Sequence, residues 1–219
     1  MDQRSVSEAV ASLRKRIANA GGEHVALVGV TKTFGSEAWH FARVAGCDAV
    51  GENYAQEVVA KAAEVVKADR LPVHFIGQLQ SNKIRQLVGL VDVWQSVDRL
   101  SLLTEIANRS PVTAQVLLQV NVTGEKGKGG CLPADVGELT RVAHDLGIDV
   151  LGLMTVGPTN EDPNVTRSAF RTLRSMVNDH GLQQCSMGMT GDLEIAIEEG
   201  STMVRVGSAL FGNRPSPPR

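Results

Sequence analysis

One lysine lies where a buried strand would present a reactive amine at its end. Lys32 follows the apolar run Val25-Ala-Leu-Val-Gly-Val30 and stands between Thr31 and Thr33. In that position an amine can lose part of its hydration shell, which favours its neutral form and allows nucleophilic attack on an aldehyde. Because lysine is mostly an exposed residue, the position alone also fits an ordinary solvated side chain. Polar motifs near the C-terminus favour the reactive amine.

Two segments near the C-terminus together have the composition of a phosphate-binding cup, Ser186-Met-Gly-Met189 and Arg205-Val-Gly-Ser208. Glycine lets a backbone approach an anion closely, and amides and hydroxyls donate hydrogen bonds to it. Strand alternation puts the Arg205 side chain on the same face as Gly207. If that face points to the interior, Arg205 reaches a nitrogen in the ring of a bound ligand. The predicted cup residues are Ser186, Gly188, Gly207 and Ser208.

An aldehyde-capturing amine, a phosphate cup and an inward arginine together suit one cofactor, pyridoxal 5′-phosphate (PLP). Further motifs follow in order along residues 5–213. They are Val28-Gly-Val-Thr-Lys-Thr33, Gly51-Glu-Asn-Tyr54, His74-Phe-Ile-Gly77, Leu79-Gln-Ser-Asn-Lys83, Gln119-Val-Asn121, Gly152-Leu-Met-Thr155, the two cup segments and residues 194–207. In this order and spacing, the chain resembles the pyridoxal phosphate homeostasis protein family, single-domain barrels related to the barrel half of bacterial alanine racemases.

The resemblance implies roles for several further residues. It places Asn53 beside the phenolic oxygen of PLP, although Asn53 also fits a helix cap for the segment that follows. Met154 would touch the ring plane through its polarizable sulfur, which is a packing role. Lys128 matches a second family lysine that helps to move or receive the cofactor. His74, in an apolar strand, is predicted to be a core histidine without a chemical role.

Function depends on which acid/base groups accompany the lysine. In alanine racemases a tyrosine from a separate domain works opposite the Schiff-base lysine, whereas the only tyrosine here is Tyr54. An arginine at the ring nitrogen would leave that nitrogen unprotonated, which makes the ring a weaker electron sink. We therefore expect a protein that holds and delivers PLP as a Schiff base on Lys32, without efficient catalysis. The alternatives are an amino-acid racemase that uses water or Lys128 as second base, and a Schiff-base aldolase.

Composition excludes some partners and favours a compartment. With 24 acidic and 22 basic residues, the net charge of −2 provides no field for nucleic acid or an anionic membrane. No apolar run approaches the roughly 18 residues of a membrane span. Three cysteines without a CxxC pair disfavour a disulfide framework or a structural zinc site. We expect a cytoplasmic monomer whose partners are PLP, amino acids and apo-enzymes that need PLP.

Strand-like and helix-like segments alternate along the 219 residues, which is typical of parallel βαβ units. Eight units after an extra N-terminal helix, opened by a capping box at Ser5-Val-Ser-Glu8, predict one (β/α)₈ TIM barrel over residues 1–213. Residues 214–219 have the composition of a disordered tail. Strands are predicted near 25–32, 49–53, 73–77, 92–97, 115–121, 150–156, 184–189 and 203–208. Helices are predicted near 54–68, 99–108, 134–146, 165–180 and 193–199.

Overall fold

Short apolar runs form eight strands in residues 2–160 and 162–212, the part of the chain that this computed structural model describes. Their residues are buried almost without interruption, as expected for parallel strands that are covered on both faces. The strands are β1 (Ala26–Val30), β2 (Ala49–Glu52), β3 (Val73–Phe75), β4 (Val93–Val97), β5 (Gln115–Gln119), β6 (Asp149–Met154), β7 (Gln184–Ser186) and β8 (Met203–Val206).

Each strand pairs with the next in parallel, and β8 pairs with β1 to close the barrel. In that closing pair, Val28 lies opposite Arg205. The first and last strands therefore bring Lys32 and Arg205, which are distant in sequence, to the same rim. The predicted (β/α)₈ barrel is confirmed.

Amphipathic helices surround the barrel in the described residues. Six of them, the N-terminal helix included, fall where the sequence predicts helices, whereas the helices after β1, β3 and β8 were not among the predicted segments. The helices are α1 (Gln3–Asn19), α2 (Glu37–Ala45), α3 (Ala55–Glu64), α4 (Ser81–Leu87), α5 (Leu100–Arg109), α6 (Val136–Asp145), α7 (Pro163–Asp179), α8 (Leu193–Glu198) and α9 (Ser208–Phe211), with 3₁₀ turns at Lys67–Asp69 and Pro133–Asp135.

The extra N-terminal helix α1 is present, but it begins earlier than the predicted capping box. Asp2 is its N-cap, and the Asp2 carboxylate accepts hydrogen bonds from both the backbone N–H and the hydroxyl of Ser5. Because an aspartate at the cap also suits the helix dipole, Asp2 takes the place that we assigned to Ser5. The buried face of α1 is the one that the sequence predicts, Val6, Val10, Leu13 and Ile17.

The hydrophobic core lies mainly between the barrel and the helices, and a smaller cluster of Val93, Leu117 and Met154 fills part of the barrel interior. Four polar side chains, His74, Gln95, Ser186 and Arg205, are also buried there. No helix in the described ranges is both long and apolar enough to cross a membrane. The predicted tail at 214–219 lies outside the described residues and stays a prediction.

Candidate functional site

A cavity of about 420 Å³ opens at the carboxyl ends of the barrel strands. Such a volume is within the range of small-molecule sites, and this end of a (β/α)₈ barrel is where ligand sites are found. Five predicted site residues line it: Lys32, Asn53, Arg205, Gly207 and Ser208. The other lining residues are Val30, Phe34, Ile76, Val156, Met189, Thr190, Gly191 and Gly212.

Lys32 is held between two hydrogen-bonded threonines. It comes two residues after the end of β1 and lines the cavity. Thr33 has a φ of 70°, in the left-handed region that a β-branched residue rarely adopts. Such a conformation costs about 1–3 kcal/mol and persists where surrounding contacts enforce it. One of these contacts is a hydrogen bond of 2.8 Å from the Thr33 N–H to Glu57 Oε2.

Thr31 belongs to a buried polar cluster centred on Glu52. Glu52 Oε1 accepts hydrogen bonds from Thr31 Oγ1 at 2.6 Å, from Trp39 Nε1 at 2.9 Å and from Lys61 Nζ at 2.6 Å. Burial raises the pKa of Glu52, and the Lys61 charge and these hydrogen bonds oppose that rise. No motif in the sequence predicts this cluster. Its one signal is that Lys61 falls on the buried face of α3 with Ala55 and Val58, where a lysine needs a partner.

Arg205 lies in the barrel interior, where it is only 5% exposed. Its Nη2 donates to the Thr155 carbonyl at 2.7 Å, and its Nη1 donates to Ser186 Oγ at 2.6 Å. Burial lowers the pKa of Arg205 to about 10, which leaves the guanidinium charged at neutral pH. The two acceptors therefore fix a permanent cation beneath the cavity.

A chain of hydrogen bonds continues from Arg205 through the barrel interior. The Ser186 hydroxyl donates to Gln95 Oε1 at 2.7 Å, and Gln95 Nε2 lies 2.6 Å from His74 Nδ1. Because the Gln95 amide nitrogen is a donor, His74 Nδ1 acts as the acceptor in this arrangement. Burial lowers the pKa of His74 to about 4, which keeps the ring neutral.

Three of the predicted site residues do not line the cavity. Ser186 is fully buried beneath Arg205, and Met154 packs with the interior cluster. Gly188 has a φ of +98°, and a Cβ there would come within 2.5 Å of the Ala196 Cβ, so its close packing is against α8. The structure thus brings the lysine, the asparagine, the arginine and the end of the cup together, and it places these three residues behind the cavity wall.

Asn53 lines the cavity and carries a polar atom without a partner in the described part of the chain. Its Oδ1 is buried without a hydrogen-bond partner among the described residues. A helix cap is not its role, because Tyr54 is the N-cap of α3. Gly77 permits this placement, since a Cβ on Gly77 would lie 2.1 Å from the Asn53 carbonyl oxygen. A buried amide oxygen without a partner fits a ligand that offers a polar atom at this wall.

Lys128 is held by hydrogen bonds to a backbone carbonyl and to a carboxylate. Lys128 Nζ donates to the Gly157 carbonyl at 2.6 Å and to Glu125 at 3.0 Å. Hydrogen bonds from Thr159 and Lys128 lower the pKa of Glu125 to about 2. The side chain of Lys128 is 15% exposed, and Lys128 does not belong to the lining of the cavity.

Comparison with known proteins agrees with this fold. The family described as alanine racemase, N-terminal domain, matches residues 2–215. Two relatives, each called pyridoxal phosphate homeostasis protein, are 40% identical: that of Aquifex aeolicus over 95% of this chain and 96% of its own length, and that of Pseudomonas aeruginosa over 96% of both. PipY of Synechococcus elongatus, solved with PLP bound, is 32% identical with a TM-score of 0.83, covering 94% of this chain and 100% of its own.

The fold and the site first define a class, a (β/α)₈ barrel of the alanine racemase type with its cavity at the carboxyl ends of the strands. Within that class, the chain belongs to the pyridoxal phosphate homeostasis protein family.

Proposed function

We propose that this protein binds PLP in the cavity at the barrel rim and takes part in intracellular PLP homeostasis, without efficient catalysis. Lys32 is the reversible covalent anchor, through a Schiff base. The observation that carries the proposal is that Lys32, Asn53, Arg205 and the Gly207–Ser208 turn all line one cavity. Relatives named for PLP homeostasis and a similar barrel solved with PLP bound support it.

Each lining residue has a distinct task in this proposal. PLP supplies an aldehyde that condenses with an amine, a ring nitrogen, a phenolic oxygen and a phosphate. Lys32 supplies the amine, and the amide of Asn53 bonds the phenolic oxygen. Ser208 and Thr190 offer hydroxyls to the phosphate, beside the Gly207 backbone at the start of α9.

Arg205 explains why we propose a holding role rather than turnover. A guanidinium can donate a hydrogen bond to the ring nitrogen but does not give up its proton, so the nitrogen stays an acceptor. The ring then draws electrons weakly and stabilises a carbanion poorly. Ser186 acts in this scheme by fixing Arg205, and Met154 and Gly188 support the cavity from behind its wall.

The finer aspects of this role are also proposals. We place the protein in the cytoplasm as a monomer that exchanges PLP with apo-enzymes and amino acids. Its three cysteines are buried free thiols, and burial raises the pKa of each thiol to about 12, which suits a reducing compartment. Size-exclusion chromatography with light scattering tests the monomer directly.

The test of the function is borohydride reduction of the purified protein after incubation with PLP, followed by peptide mass mapping. We expect a phosphopyridoxyl adduct on Lys32 alone, because reduction fixes a Schiff base where it stands. The Lys32→Ala variant should lose the adduct, and Lys128→Ala, as the matched lysine control, should keep it. Labels spread over surface lysines, or no label, would contradict the proposal.

A further inference from the structure

Both neighbours of Lys32 are hydrogen-bonded to carboxylates, and the two carboxylates share one cation. Glu52 accepts from the Thr31 hydroxyl at 2.6 Å, and Glu57 accepts from the Thr33 N–H at 2.8 Å. Lys61 Nζ lies 2.6 Å from Glu52 and 3.7 Å from Glu57. It also donates to the Thr31 carbonyl at 2.7 Å. We call Thr31, Glu52, Glu57 and Lys61 the Lys32 clamp.

We propose that Glu52 and Glu57, joined by Lys61, are positioning residues that hold the Lys32 amine in the orientation needed for covalent capture of an aldehyde. The inference rests on the proposed function, because it assumes that Lys32 is the anchor. It goes further in assigning a task to acidic and basic side chains that do not line the cavity.

The arrangement restricts the lysine from both sides. Thr31 is fully buried and is bonded through its hydroxyl and its carbonyl, so the chain entering Lys32 is fixed. Thr33 is kept in the left-handed region at a φ of 70°, so the chain leaving Lys32 turns sharply. With the backbone fixed on both sides, only the four side-chain torsions of Lys32 are left to place its amine. Pre-organisation of this kind favours a covalent step without adding a contact to the ligand.

The charges of the clamp suit the same task. Glu52 is fully buried and Lys61 is 4% exposed, so their attraction is little screened by solvent. Because the charge of Lys61 is compensated by Glu52, with Glu57 close by, the clamp adds no net positive charge beside Lys32. An uncompensated cation there would favour the neutral amine, but it would also repel the protonated nitrogen of a Schiff base.

The chemical step itself is balanced without further reagents. The neutral Lys32 amine adds to the aldehyde carbon, the C=N bond forms, and the carbonyl oxygen leaves as water. The step is reversible and needs no oxidant or reductant. Its equilibrium depends on the orientation of the amine, which is what the clamp fixes. Binding of the phosphate and the ring does not depend on that orientation.

The experiment compares PLP with pyridoxamine 5′-phosphate, which has the same ring and phosphate but no aldehyde. For Glu57→Ala, we expect PLP binding and borohydride-trapped label on Lys32 to fall about tenfold, the scale of losing one charge-assisted hydrogen bond. Pyridoxamine 5′-phosphate should bind with an affinity unchanged within about twofold, because its contacts do not involve the orientation of Lys32. Thr31→Val should behave like Glu57→Ala.

Conservative variants and a matched control complete the design. Glu57→Gln keeps an oxygen for the Thr33 N–H and Thr31→Ser keeps a hydroxyl for Glu52, so both should retain most of the covalent binding. Glu105→Gln removes a carboxylate on α5 that pairs with Arg109 and should change neither ligand. Urea unfolding of every variant shows which of them remain folded.

The outcomes separate the clamp from the proposed function. If wild-type protein carries no label on Lys32, the proposed function fails and the clamp fails with it. If wild type is labelled but Glu57→Ala and Thr31→Val bind PLP normally, only the clamp is overturned. Equal weakening for both ligands would also overturn it, because the cluster would then serve the general structure of the cavity.

Discussion

At the scale of single residues, the sequence predicts some groups of the site and not others. Lys32 and Arg205 stand out because a strand end and a strand face determine where their side chains go, and both line the cavity. The Glu52–Lys61 pair could not be predicted, because it forms between β2 and α3 and depends on how α3 packs. Helical periodicity shows only that Lys61 shares a face with Val58.

The two serines of the predicted cup provide a test at this scale. Ser208 lines the cavity, whereas Ser186 donates to Gln95 and accepts from Arg205. We expect Ser208→Ala to weaken PLP about tenfold and to leave pyridoxal, which lacks the phosphate, unchanged. Ser186→Ala should weaken both ligands similarly, because it acts through Arg205 at the ring.

Titration of each variant with PLP and with pyridoxal distinguishes the two roles, and each serine variant is the control for the other. A loss confined to PLP in Ser186→Ala would instead make Ser186 a phosphate ligand, as the sequence alone suggested. That outcome would require its hydroxyl to leave Gln95 when PLP binds.

At the scale of secondary-structure elements, the strands were predictable and some helices were not. Parallel strands that are buried on both faces form continuous apolar runs. Seven of the eight fall within the predicted ranges, and β6 begins one residue before its range. The helices α4 and α9 are seven and four residues long, too short for a clear amphipathic period. Loop geometry was also beyond prediction, because the close approach of Gly77 to Asn53 joins two separate βα loops.

The contact between these two loops predicts the effect of a single methyl group. In Gly77→Ala, the Cβ would lie 2.1 Å from the Asn53 carbonyl oxygen, so one of the loops must move. Overpacking of this kind costs about 1–3 kcal/mol of unfolding free energy. Since Asn53 lines the cavity, PLP affinity should fall as well.

Urea unfolding and PLP titration measure both effects, with Gly137→Ala as the control. A Cβ on Gly137, within α6, would meet the His180 ring at 3.5 Å, an ordinary contact. Alanine favours a helix over glycine by about 1 kcal/mol, so this control should be at least as stable as wild type and should bind PLP normally. Normal PLP affinity in Gly77→Ala would remove Asn53 from the site.

At the scale of the whole molecule, the outer face of the barrel sheet, beneath the helices, is apolar, and the barrel interior is partly polar. The helices cover the outside of the sheet, and a hydrogen-bonded chain of Arg205, Ser186, Gln95 and His74 crosses the inside. A buried polar chain is favourable only when each member has its partner. Each donor in this chain points toward His74, so the arrangement requires a neutral ring that accepts at Nδ1.

This requirement makes the stability of the whole barrel depend on pH. Burial lowers the pKa of His74 from 6.5 to about 4 in the folded protein. Between these values the unfolded chain binds a proton that the folded chain does not, so the unfolding free energy falls as the pH falls below 6.5. The contribution of His74 to that fall reaches about 2 kcal/mol at pH 5 and about 3 kcal/mol at pH 4.

Urea unfolding of wild type and His74→Gln, both without PLP, at pH 7 and pH 5 measures this contribution. The variant lacks the titrating ring. The variant should lose less stability between the two pH values than wild type, by about 2 kcal/mol. His144→Gln is the matched control. It removes a histidine that is 91% exposed, so it shows the effect of losing an imidazole that is not buried. Equal losses in wild type and His74→Gln would mean that His74 takes up its proton inside the folded barrel. The direction of the hydrogen bonds between His74 and Ser186 would then have to reverse. The Gln95 amide would turn, with its oxygen toward His74 and its nitrogen toward Ser186.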